Sequence, residues 1–294
     1  MLQFLHEQCK AVSYAGQEVL YIQPKYDGHR VTAISQPKTC DLPMALYTRS
    51  QTNLFLDMAA KAKEHNIWPW IANLMRMPRR SSIDGELCVH GKPASYIKTA
   101  IKECDPSLKF LAFAAPWWSG KRKYTEPLEA AMDRCTAIDI EFIDFIKLDE
   151  VQAVDSELWL NRIKPDVEGW VLKKFHYSHW YKLKKVHTID LVVTSLTEGK
   201  GKYEGFIGGL RCSAYDNLEA LQEICVCSGM DDDTRKGITP VDIGRVCEVK
   251  YQEAASLGRL RHPIFVRWRD DKSPQECTMA QDLTLLRYWS KADA

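Results

Sequence analysis

Residues 25–30 read Lys25-Tyr26-Asp27-Gly28-His29-Arg30 and follow an alternating stretch rich in β-forming residues, Glu18 to Pro24. That stretch predicts a strand that ends at the motif's lysine, and Val31 to Ile34 predicts a second strand just beyond the motif. Gly28 would let the backbone turn tightly beside a bulky ligand. Arg30 offers a planar fork of donors that suits phosphate or ribose oxygens. The motif therefore predicts a ligand site at the junction of two strands.

The lysine is the candidate nucleophile of this motif. An ordinary lysine side chain has a pKa near ~10.4, so only about one in a few thousand is a neutral amine at pH 7, and only the neutral amine attacks phosphorus. Desolvation in a pocket and a nearby divalent cation both favour the neutral form. The residue types therefore predict covalent nucleotide transfer through Lys25. The alternative is a surface turn with a solvated cluster of lysine, aspartate and arginine.

Length and composition bound the interpretation. The 294 residues are 45% hydrophobic and 27% charged, with a formal net charge of +1, which is typical of a globular protein with room for two cores. No run approaches the ~18 apolar residues that cross a membrane. Met1 to Glu7 lack the basic start and apolar stretch of a secretory signal. We therefore expect a cytoplasmic protein with no membrane partner, in which local basic patches mediate any contact with nucleic acid.

The ten cysteines are scattered along the chain, and no CxxC pair occurs. Together with the expected absence of a secretion signal, this scatter predicts reduced thiols. Cys225 and Cys227 lie one residue apart in an apolar run that is typical of a strand. We interpret them as the core and surface faces of that strand rather than as zinc ligands.

Periodicity elsewhere predicts an α+β protein with two domains. Strands are expected at Ser82–Val89, Phe110–Ala115, Val167–Lys173 and Trp180–Lys185, and helices at Phe55–Trp70, Glu126–Ile138 and Asp149–Asn161. From about Thr188 the helical patterns thin out, and short strands separated by Gly, Asp and Asn predict a small antiparallel barrel. We therefore expect antiparallel sheets with helices at residues 1–188 and an all-β barrel at residues 189–294.

Charged residues recur on the predicted strands in positions that suit a nucleotide. Asp84 and Glu86 share one strand face, as do Lys182 and Lys184, because side chains two residues apart point the same way. Two ammonium groups on one face repel each other unless an anion lies between them, which favours a phosphate site. Glu168, close to a lysine-bearing strand, would suit Mg²⁺. A solvated charged surface is the alternative for each group.

In their order along the chain, these stretches resemble the motifs of the covalent nucleotidyltransferase superfamily, and most closely those of the ATP-dependent DNA ligases. The matching stretches are Lys25–Arg30, Thr48–Ser50, Asp84–Leu87, the strand with Phe113, Glu168–Lys173, Lys182–Lys184, Gly201–Leu210 and Arg261–Lys272. The resemblance covers residues 18 to 275. It implies a nucleotidyltransferase (adenylation) domain followed by an OB-fold barrel. It further implies a minimal enzyme, of the kind found in bacteriophages and some bacteria, without the large helical DNA-clasping domain of bigger ligases.

The resemblance also implies a role for each matching residue. Lys25 would carry AMP, and Arg269 and Lys272 would orient the pyrophosphate that leaves ATP. The other nucleotide contacts would come from Gln23, Arg30, Glu86 at the ribose, Phe113 stacked on adenine, and Lys182 and Lys184 at the phosphates. Glu168 and Asp27 would hold Mg²⁺ or Mn²⁺. The candidate DNA contacts are Arg49, Lys173, Arg79, Arg80 and Lys202.

Two positions depart from the family's pattern. Gln23 stands where a glutamate is frequent, so the adenine contact there is expected from the backbone rather than from a charged side chain. Ala114 stands where an aspartate usually follows the stacking aromatic.

Together these roles predict an ATP-dependent DNA ligase that seals nicks with a 5′-phosphate and a 3′-hydroxyl, through a lysyl-AMP and a DNA-adenylate. Its partner would be nicked double-stranded DNA, bound without regard to sequence by a monomer. We expect a hinge at Thr188–Thr194 and a flexible loop at Gly199–Lys202. An RNA ligase and a GTP-dependent mRNA-capping guanylyltransferase are alternatives within the superfamily, and a catalytically silent nucleic-acid-binding OB protein is the alternative outside it.

Overall fold

The computed structural model describes residues 11–164, 167–254, 258–282 and 285–286. The prediction for Met1 to Glu7 lies outside these residues. The chain divides between Lys184 and Lys185 into two compact units, named unit 1 and unit 2 in chain order. No described helix is long and apolar enough to cross a membrane.

Strands make up most of both units. The strands of unit 1 are β1 (Val12–Ser13), β2 (Val19–Lys25), β3 (His29–Ser35), β4 (Met44–Thr48), β5 (Ser82–Cys88), β6 (Lys109–Trp118), β7 (Lys121–Arg122), β8 (Ile146–Gln152), β9 (Gly169–Lys173) and β10 (Trp180–Lys184). Its α-helices are α1 (Phe55–His65), α2 (Trp70–Leu74), α3 (Ile97–Lys102), α4 (Leu128–Thr136) and α5 (Ser156–Asn161). Unit 2 contains β11 (His187–Glu198), β12 (Ile207–Tyr215), β13 (Leu221–Cys227), α6 (Asp232–Gly237), β14 (Val246–Tyr251), β15 (Glu253–Ala254), β16 (Leu260–Arg261) and β17 (Ile264–Trp268).

Unit 1 contains two five-stranded sheets. Sheet A has the order β1-β10-β9-β2-β8 and is antiparallel except between β1 and β10. Sheet B has the order β4-β3-β5-β6-β7 and is antiparallel throughout. The motif at residues 25–30 joins β2 of sheet A to β3 of sheet B, so its side chains lie where the chain passes from one sheet to the other.

The largest core of unit 1 joins sheet B to the helices. Its members include the fully buried side chains of Leu46, Met58, Leu74, Ile83, Leu87 and Leu128. Burying one such side chain contributes about 1.5–3 kcal/mol relative to leaving it exposed. This apolar packing holds β3 and β5, which carry several of the predicted site residues, in a fixed position.

Unit 2 is built on one antiparallel sheet with the order β13-β12-β11-β14-β17. Its two edge strands approach each other at one bridge between Ser228 and Ile264, where the N–H of Phe265 donates to the carbonyl of Ser228 at 2.8 Å. Within the described residues the edges pair only there, so the sheet curls toward a barrel without closing along its length. The α+β class with antiparallel sheets is confirmed, and the strands expected to form a small barrel make one sheet whose two edges meet at this bridge.

Two local predictions were wrong. Residues 149–152, the start of the helix expected at Asp149–Asn161, instead form part of the exposed edge strand β8, because pairing with β2 overrides their weak helical pattern. Only Ser156–Asn161 of that segment is helical. The segment Thr188–Thr194, expected to be a hinge, lies inside β11, and residues 188–192 pair with β14.

The cysteines of unit 2 also correct a prediction. Cys225 and Cys227 are both buried, at 4% and 0% exposure, while the side chain between them is exposed. Residues two apart on a strand share a face, so the two thiols cannot lie on opposite faces. The sulfur of Cys212 lies 3.6 Å from that of Cys227 and 3.7 Å from that of Cys247. Every described cysteine is a free thiol, and these pack in the apolar core as small hydrophobic side chains.

Candidate functional site

Glu168 lies between two lysines of sheet A. Its Oε2 is 2.5 Å from Nζ of Lys25, and its Oε1 pairs with Nζ of Lys184. Strand pairing produces this cluster, because Gly169 is the register partner of Lys25 on β2 and of Lys184 on β10. The N–H of Glu168 also donates to the carbonyl of Lys25 at 2.7 Å. Lys25 and Glu168 therefore form a direct ion pair although more than 140 residues separate them in the sequence.

The electrostatics of this cluster hold Glu168 ionised. Burial by itself would raise the pKa of Glu168, but the positive charges of Lys25 and Lys184 outweigh burial and lower it. Burial lowers the pKa of Lys184, and the charges of Lys25 and Lys182 lower it further, against the opposing effect of Glu168. The positive charges of Lys25, Lys182 and Lys184 therefore repel one another close to the single carboxylate of Glu168. An anionic ligand would relieve their repulsion.

Two motif glycines allow this close approach. A Cβ atom at Gly28 would lie 2.3 Å from the carbonyl oxygen of Leu87 and 2.8 Å from Cγ of Glu86. A Cβ atom at Gly169 would lie 2.3 Å from the carbonyl oxygen of Leu183. Any larger residue would force neighbouring strands apart, so both glycines are required by packing.

A buried carboxylate orients the arginine of the motif. Asp84 is fully buried, and its two oxygens accept hydrogen bonds from Arg30 at 3.2 and 2.5 Å. Thr32 donates to Asp84 at 3.0 Å, and the hydroxyl of Tyr177 donates to it at 2.5 Å. Sequence reasoning predicted Arg30 and Asp84 but missed Thr32, on the same strand as Arg30, and Tyr177, between β9 and β10, because neither lies in a recognised motif.

Glu86 is the register partner of Arg30 on the adjacent strand of sheet B. Burial raises its pKa to about 8, against the lowering effects of Lys25 and Arg30, while Asp84 and Glu168 raise it further. Glu86 is therefore mostly a neutral acid at pH 7, and its O–H can donate a hydrogen bond to a ligand oxygen. The charges that shift the pKa of Glu86 come from both sheets of unit 1, since Lys25 lies on β2 of sheet A and Arg30 on β3 of sheet B.

Two further residues offer groups suited to a nucleobase. Gln23 is 1% exposed and donates from Nε2 to the carbonyl of Ile143 at 2.9 Å. Among the described residues no donor reaches its Oε1, which could accept a hydrogen bond from an exocyclic amine. Phe113 is half-buried, lies edge-on to Trp180 with ring centroids 5.7 Å apart, and has the Arg30 guanidinium 5.5 Å from its own ring centre.

Other predicted residues lie elsewhere. The Oδ2 atom of Asp27 accepts a hydrogen bond from the N–H of Ala94 at 3.1 Å. Lys173 is 1% exposed and donates to the carbonyl of Phe113 at 2.8 Å. Its ammonium also lies 4.2 Å from the ring centre of Trp180. A buried ammonium with these contacts does not fit the predicted role in binding DNA phosphates, and we correct that prediction to a role in supporting Phe113.

The other predicted DNA contacts are on the surface. Arg49 follows β4 in an exposed turn, and Arg79 and Arg80 are exposed before β5. Lys202 of unit 2 is exposed, with its ammonium 4.4 Å from the ring centre of Tyr203. Their accessibility is compatible with contacts to a large anionic partner.

In unit 2 the predicted pair Arg269 and Lys272 converges on a residue that sequence reasoning missed. Nη1 of Arg269 donates to both oxygens of Asp190 at 3.0 and 2.9 Å, and Nζ of Lys272 lies 2.8 Å from Oδ2 of the same residue. Asp271 accepts from the other two nitrogens of Arg269 at 2.8 and 2.9 Å. Gln281 donates to the backbone carbonyl of Asp190 at 3.0 Å. Asp190, a residue that is 8% exposed, therefore fixes both cations through its carboxylate.

Comparison with known proteins finds similarity to DNA ligases. Residues 198–269 match the DNA ligase OB-like domain. A DNA ligase of Aeropyrum pernix is 24% identical over an alignment that covers 89% of this chain and 54% of the relative. A DNA ligase of Saccharolobus solfataricus is 26% identical over 66% of this chain and 42% of the relative. The chain thus spans about half the length of these relatives.

The fold is shared as well. A solved structure from a structure–function study of Lig E DNA ligases, which concerns DNA binding with a minimal scaffold, aligns with a TM-score of 0.63 and 18% identity, and the alignment covers 89% of this chain and 98% of that one. The matched residues 198–269 include β12, β13, β14 and β17 and the cluster residue Arg269. The chain is therefore similar in sequence to DNA ligases and shares its fold with a solved DNA ligase structure, and residues 198–269 match the DNA ligase OB-like domain.

Proposed function

We propose that this protein is an ATP-dependent DNA ligase that seals nicks in duplex DNA through an adenylate on Lys25. The observation that carries the proposal is the cluster of Lys25, Glu168 and Lys184, in which a candidate nucleophile lies 2.5 Å from a carboxylate between two lysines. The relationship to DNA ligases supplies the reaction class. The alternatives are an RNA ligase and a guanylyltransferase.

The proposed first step is an in-line displacement at the α-phosphorus of ATP. The neutral amine of Lys25 forms the N–P bond, the bond to the bridging oxygen breaks, and pyrophosphate leaves with the electron pair. Lys184 and Lys182 would face the phosphate charge, and Glu168 can hold the proton that Lys25 must lose, because its carboxylate is hydrogen-bonded to that nitrogen. Arg269 and Lys272 would contact the departing pyrophosphate.

Residues of sheet B and β2 would bind the nucleoside. Gln23 Oε1, which no described donor reaches, would accept from the N6 amine of adenine. Guanine presents a carbonyl oxygen at that position, so the same acceptor would disfavour GTP. Glu86 would donate to a ribose hydroxyl, and Phe113 would contact the base face.

The later steps transfer AMP to DNA. An oxygen of the 5′-phosphate at the nick attacks the phosphorus of the lysyl-AMP, and Lys25 recovers its amine. The 3′-hydroxyl then attacks the activated 5′-phosphorus, the sugar–phosphate bond forms, and AMP leaves. The protein would recognise the duplex through its phosphates, so binding would be independent of sequence.

A divalent cation, Mg²⁺ or Mn²⁺, fits this proposal. Glu168 is an ionised carboxylate at the phosphate end of the candidate site, and carboxylate oxygens are the ligands that Mg²⁺ prefers. When bound, the cation would neutralise charge on the phosphate oxygens. Asp27 accepts a backbone hydrogen bond at Ala94, which supports a role in holding the motif loop rather than in binding metal.

The direct test is intact-protein mass spectrometry after incubation with Mg²⁺ and either ATP or GTP. We expect an AMP adduct on the parent protein, none on Lys25→Ala, and an adduct on the control Lys61→Ala, whose ammonium pairs with Asp57 on α1. A GMP adduct instead would indicate the guanylyltransferase. If neither nucleotide gives an adduct, the ligase and the guanylyltransferase are both excluded.

A second assay distinguishes the acceptor. Nicked duplexes with DNA or RNA on either side of the nick are incubated with ATP and Mg²⁺, and sealing of DNA is expected to be the faster reaction. Preferred sealing of RNA would favour the RNA ligase. We include a monomeric state and cytoplasmic residence in the proposal, and light scattering with and without nicked DNA tests the first of these.

A further inference from the structure

A cavity at the edge of sheet B in unit 1 lies beside a cluster of exposed cations. The cavity has a volume of about 370 Å³ and is lined by Ile34, Pro37, Arg80, Ser81, Ser82, Trp117 and Gly120. These seven residues are all described, and none carries a carboxylate. The lining combines one cation and two hydroxyls with an apolar wall, which suits an anion attached to an apolar or sugar-like body.

The backbone holds Arg80 at this cavity in a conformation that L-residues rarely adopt. Its φ angle is 59°, which costs energy for a side chain other than glycine. Two backbone hydrogen bonds keep it there, from the N–H of Arg80 to Ser35 at 3.1 Å and from the N–H of Gly120 to Arg80 at 2.9 Å. A Cβ on Gly120 would lie 3.7 Å from Cδ of Arg80. The arginine stem therefore packs along the glycine at the cavity wall.

A backbone N–H also orients the hydroxyl of Ser81 at this cavity. Its oxygen accepts a hydrogen bond from the N–H of Ser119 at 2.9 Å, which leaves its own O–H to donate. Ser81 and Ser82 are 1% and 5% exposed. The polar side of the cavity thus consists of two buried serine hydroxyls next to the guanidinium group of Arg80.

A second arginine is held above the apolar wall. The guanidinium of Arg122 on β7 lies 5.4 Å from the ring centre of Trp117 and 5.7 Å from that of Tyr124. Stacking of this kind orders an arginine side chain. Lys38, Arg79 and Lys121 are exposed on the neighbouring turns and on β7. We name this surface the β7 patch and define it as Lys38, Arg79, Arg80, Lys121 and Arg122.

We propose that the β7 patch and its cavity bind the phosphodiester backbone of the duplex beside the nick. In this arrangement Arg80 and the hydroxyls of Ser81 and Ser82 bind one phosphate, the adjoining deoxyribose lies against Trp117 and Pro37, and Arg122 binds a neighbouring phosphate. The inference rests on the proposed function, because it takes duplex DNA as the partner. It adds a specific phosphate site to that function.

The test compares Arg80→Gln with Lys109→Gln, a control at an exposed lysine of β6 that pairs with Glu141. Affinity for a nicked duplex is measured across a series of salt concentrations. We expect Arg80→Gln to weaken binding roughly fivefold and to reduce the slope of log K against log salt by about 0.9, which is the loss of one phosphate contact. The double variant Arg80→Gln with Arg122→Gln should reduce the slope of log K against log salt by about 1.8, the loss of two phosphate contacts. The control should match the parent.

A second measurement locates the contact. Single phosphates of the duplex are ethylated one at a time. At one position near the nick, ethylation should block binding by the parent protein, whereas the affinity of Arg80→Gln should be the same for the ethylated and the unmodified duplex. Formation of the lysyl-AMP should be unchanged in every variant, because that step takes place at Lys25 without DNA. Parent-like affinity and salt slope for Arg80→Gln would overturn the inference while leaving ligase activity intact. A parent protein that forms no adenylate and binds no nicked duplex would instead overturn the proposed function.

Discussion

The ammonium nitrogen of Lys25 lies 2.5 Å from Oε2 of Glu168, although 143 positions separate the two residues in the chain. They meet because β2 and β9 are neighbours in sheet A and Lys25 pairs in register with Gly169. The second oxygen of Glu168 pairs with Lys184 on the next strand. The proposed nucleophile and the proposed phosphate ligand are thus joined by one carboxylate.

Replacing Glu168 by glutamine should leave the two lysines without a counter-charge. We expect Glu168→Gln to reduce the rate of lysyl-AMP formation by about 10- to 100-fold, the range typical for loss of a group that supports a metal site. The required concentration of Mg²⁺ should rise as well. Quenched-flow measurement of the adduct over a magnesium titration checks both expectations. The control is Glu64→Gln on α1, whose carboxylate is exposed, and an equal effect in both variants would contradict the role of Glu168.

The raised pKa of Glu86 predicts a dependence of stability on pH. Its pKa is about 8 in the folded protein against an ordinary value of 4.5, so between these values the folded state binds a proton that the unfolded state has released. Stability is then fully present below the lower value and is lost as pH rises toward 8, by at most about 1.4 kcal/mol per unit. Urea unfolding at pH 5 and pH 8 should show a smaller decline for Glu86→Gln than for the parent. Identical declines would show that Glu86 titrates normally.

Asp190 should be required for the arrangement of Arg269 and Lys272. Asp190→Asn keeps the size of the side chain but removes the charge that both cations contact, so we expect a loss of about 2 kcal/mol in the free energy of unfolding. We also expect slower formation of the lysyl-AMP, since the two cations would lose their fixed geometry. Asp233→Asn is the control, because the Asp233 side chain is 98% exposed. Parent-like adenylation by Asp190→Asn would remove Asp190 from this role.

The motif glycine should tolerate no side chain. A Cβ at position 28 would lie 2.3 Å from a backbone oxygen on β5, so Gly28→Ala must move either the motif loop or the strand. We expect a loss of about 1–3 kcal/mol in stability, together with a clear fall in adenylation, because Lys25 and Glu86 flank the glycine. Gly237→Ala is the matched control, since nothing lies within 4 Å of the added atom there. Chemical unfolding and the mass-spectrometric adduct assay compare the two variants.

Local patterns in the sequence predicted many elements but few contacts. The strands around the motif, β5, β6, β9 and β10 follow from β-forming residues and flanking turns, and the structure has each of them within a few residues of its predicted bounds. Residues 149–152, predicted in a helix and found in β8, show where this reasoning stops. Their helical pattern is weak, and pairing with β2 decides their conformation, which no local signal reveals.

Long-range pairing likewise decides the surroundings of each side chain. Lys173 lies in a stretch whose resemblance to DNA ligases implies a DNA contact, yet the packing of β9 against Phe113 and Trp180 buries it. Asp190, Thr32 and Tyr177 stand in no recognised motif, and each was found only because its hydrogen bonds reach Arg269 or Asp84.

The sequence by itself determined the strand-rich α+β class, the resemblance to DNA ligases and the identity of the residues that carry charge, because these depend on residue type and on spacing along the chain. Only the tertiary structure decided which charges meet. Strand register, burial and the pKa values that follow from them are set by residues far apart in sequence, and a linear pattern does not record those distances.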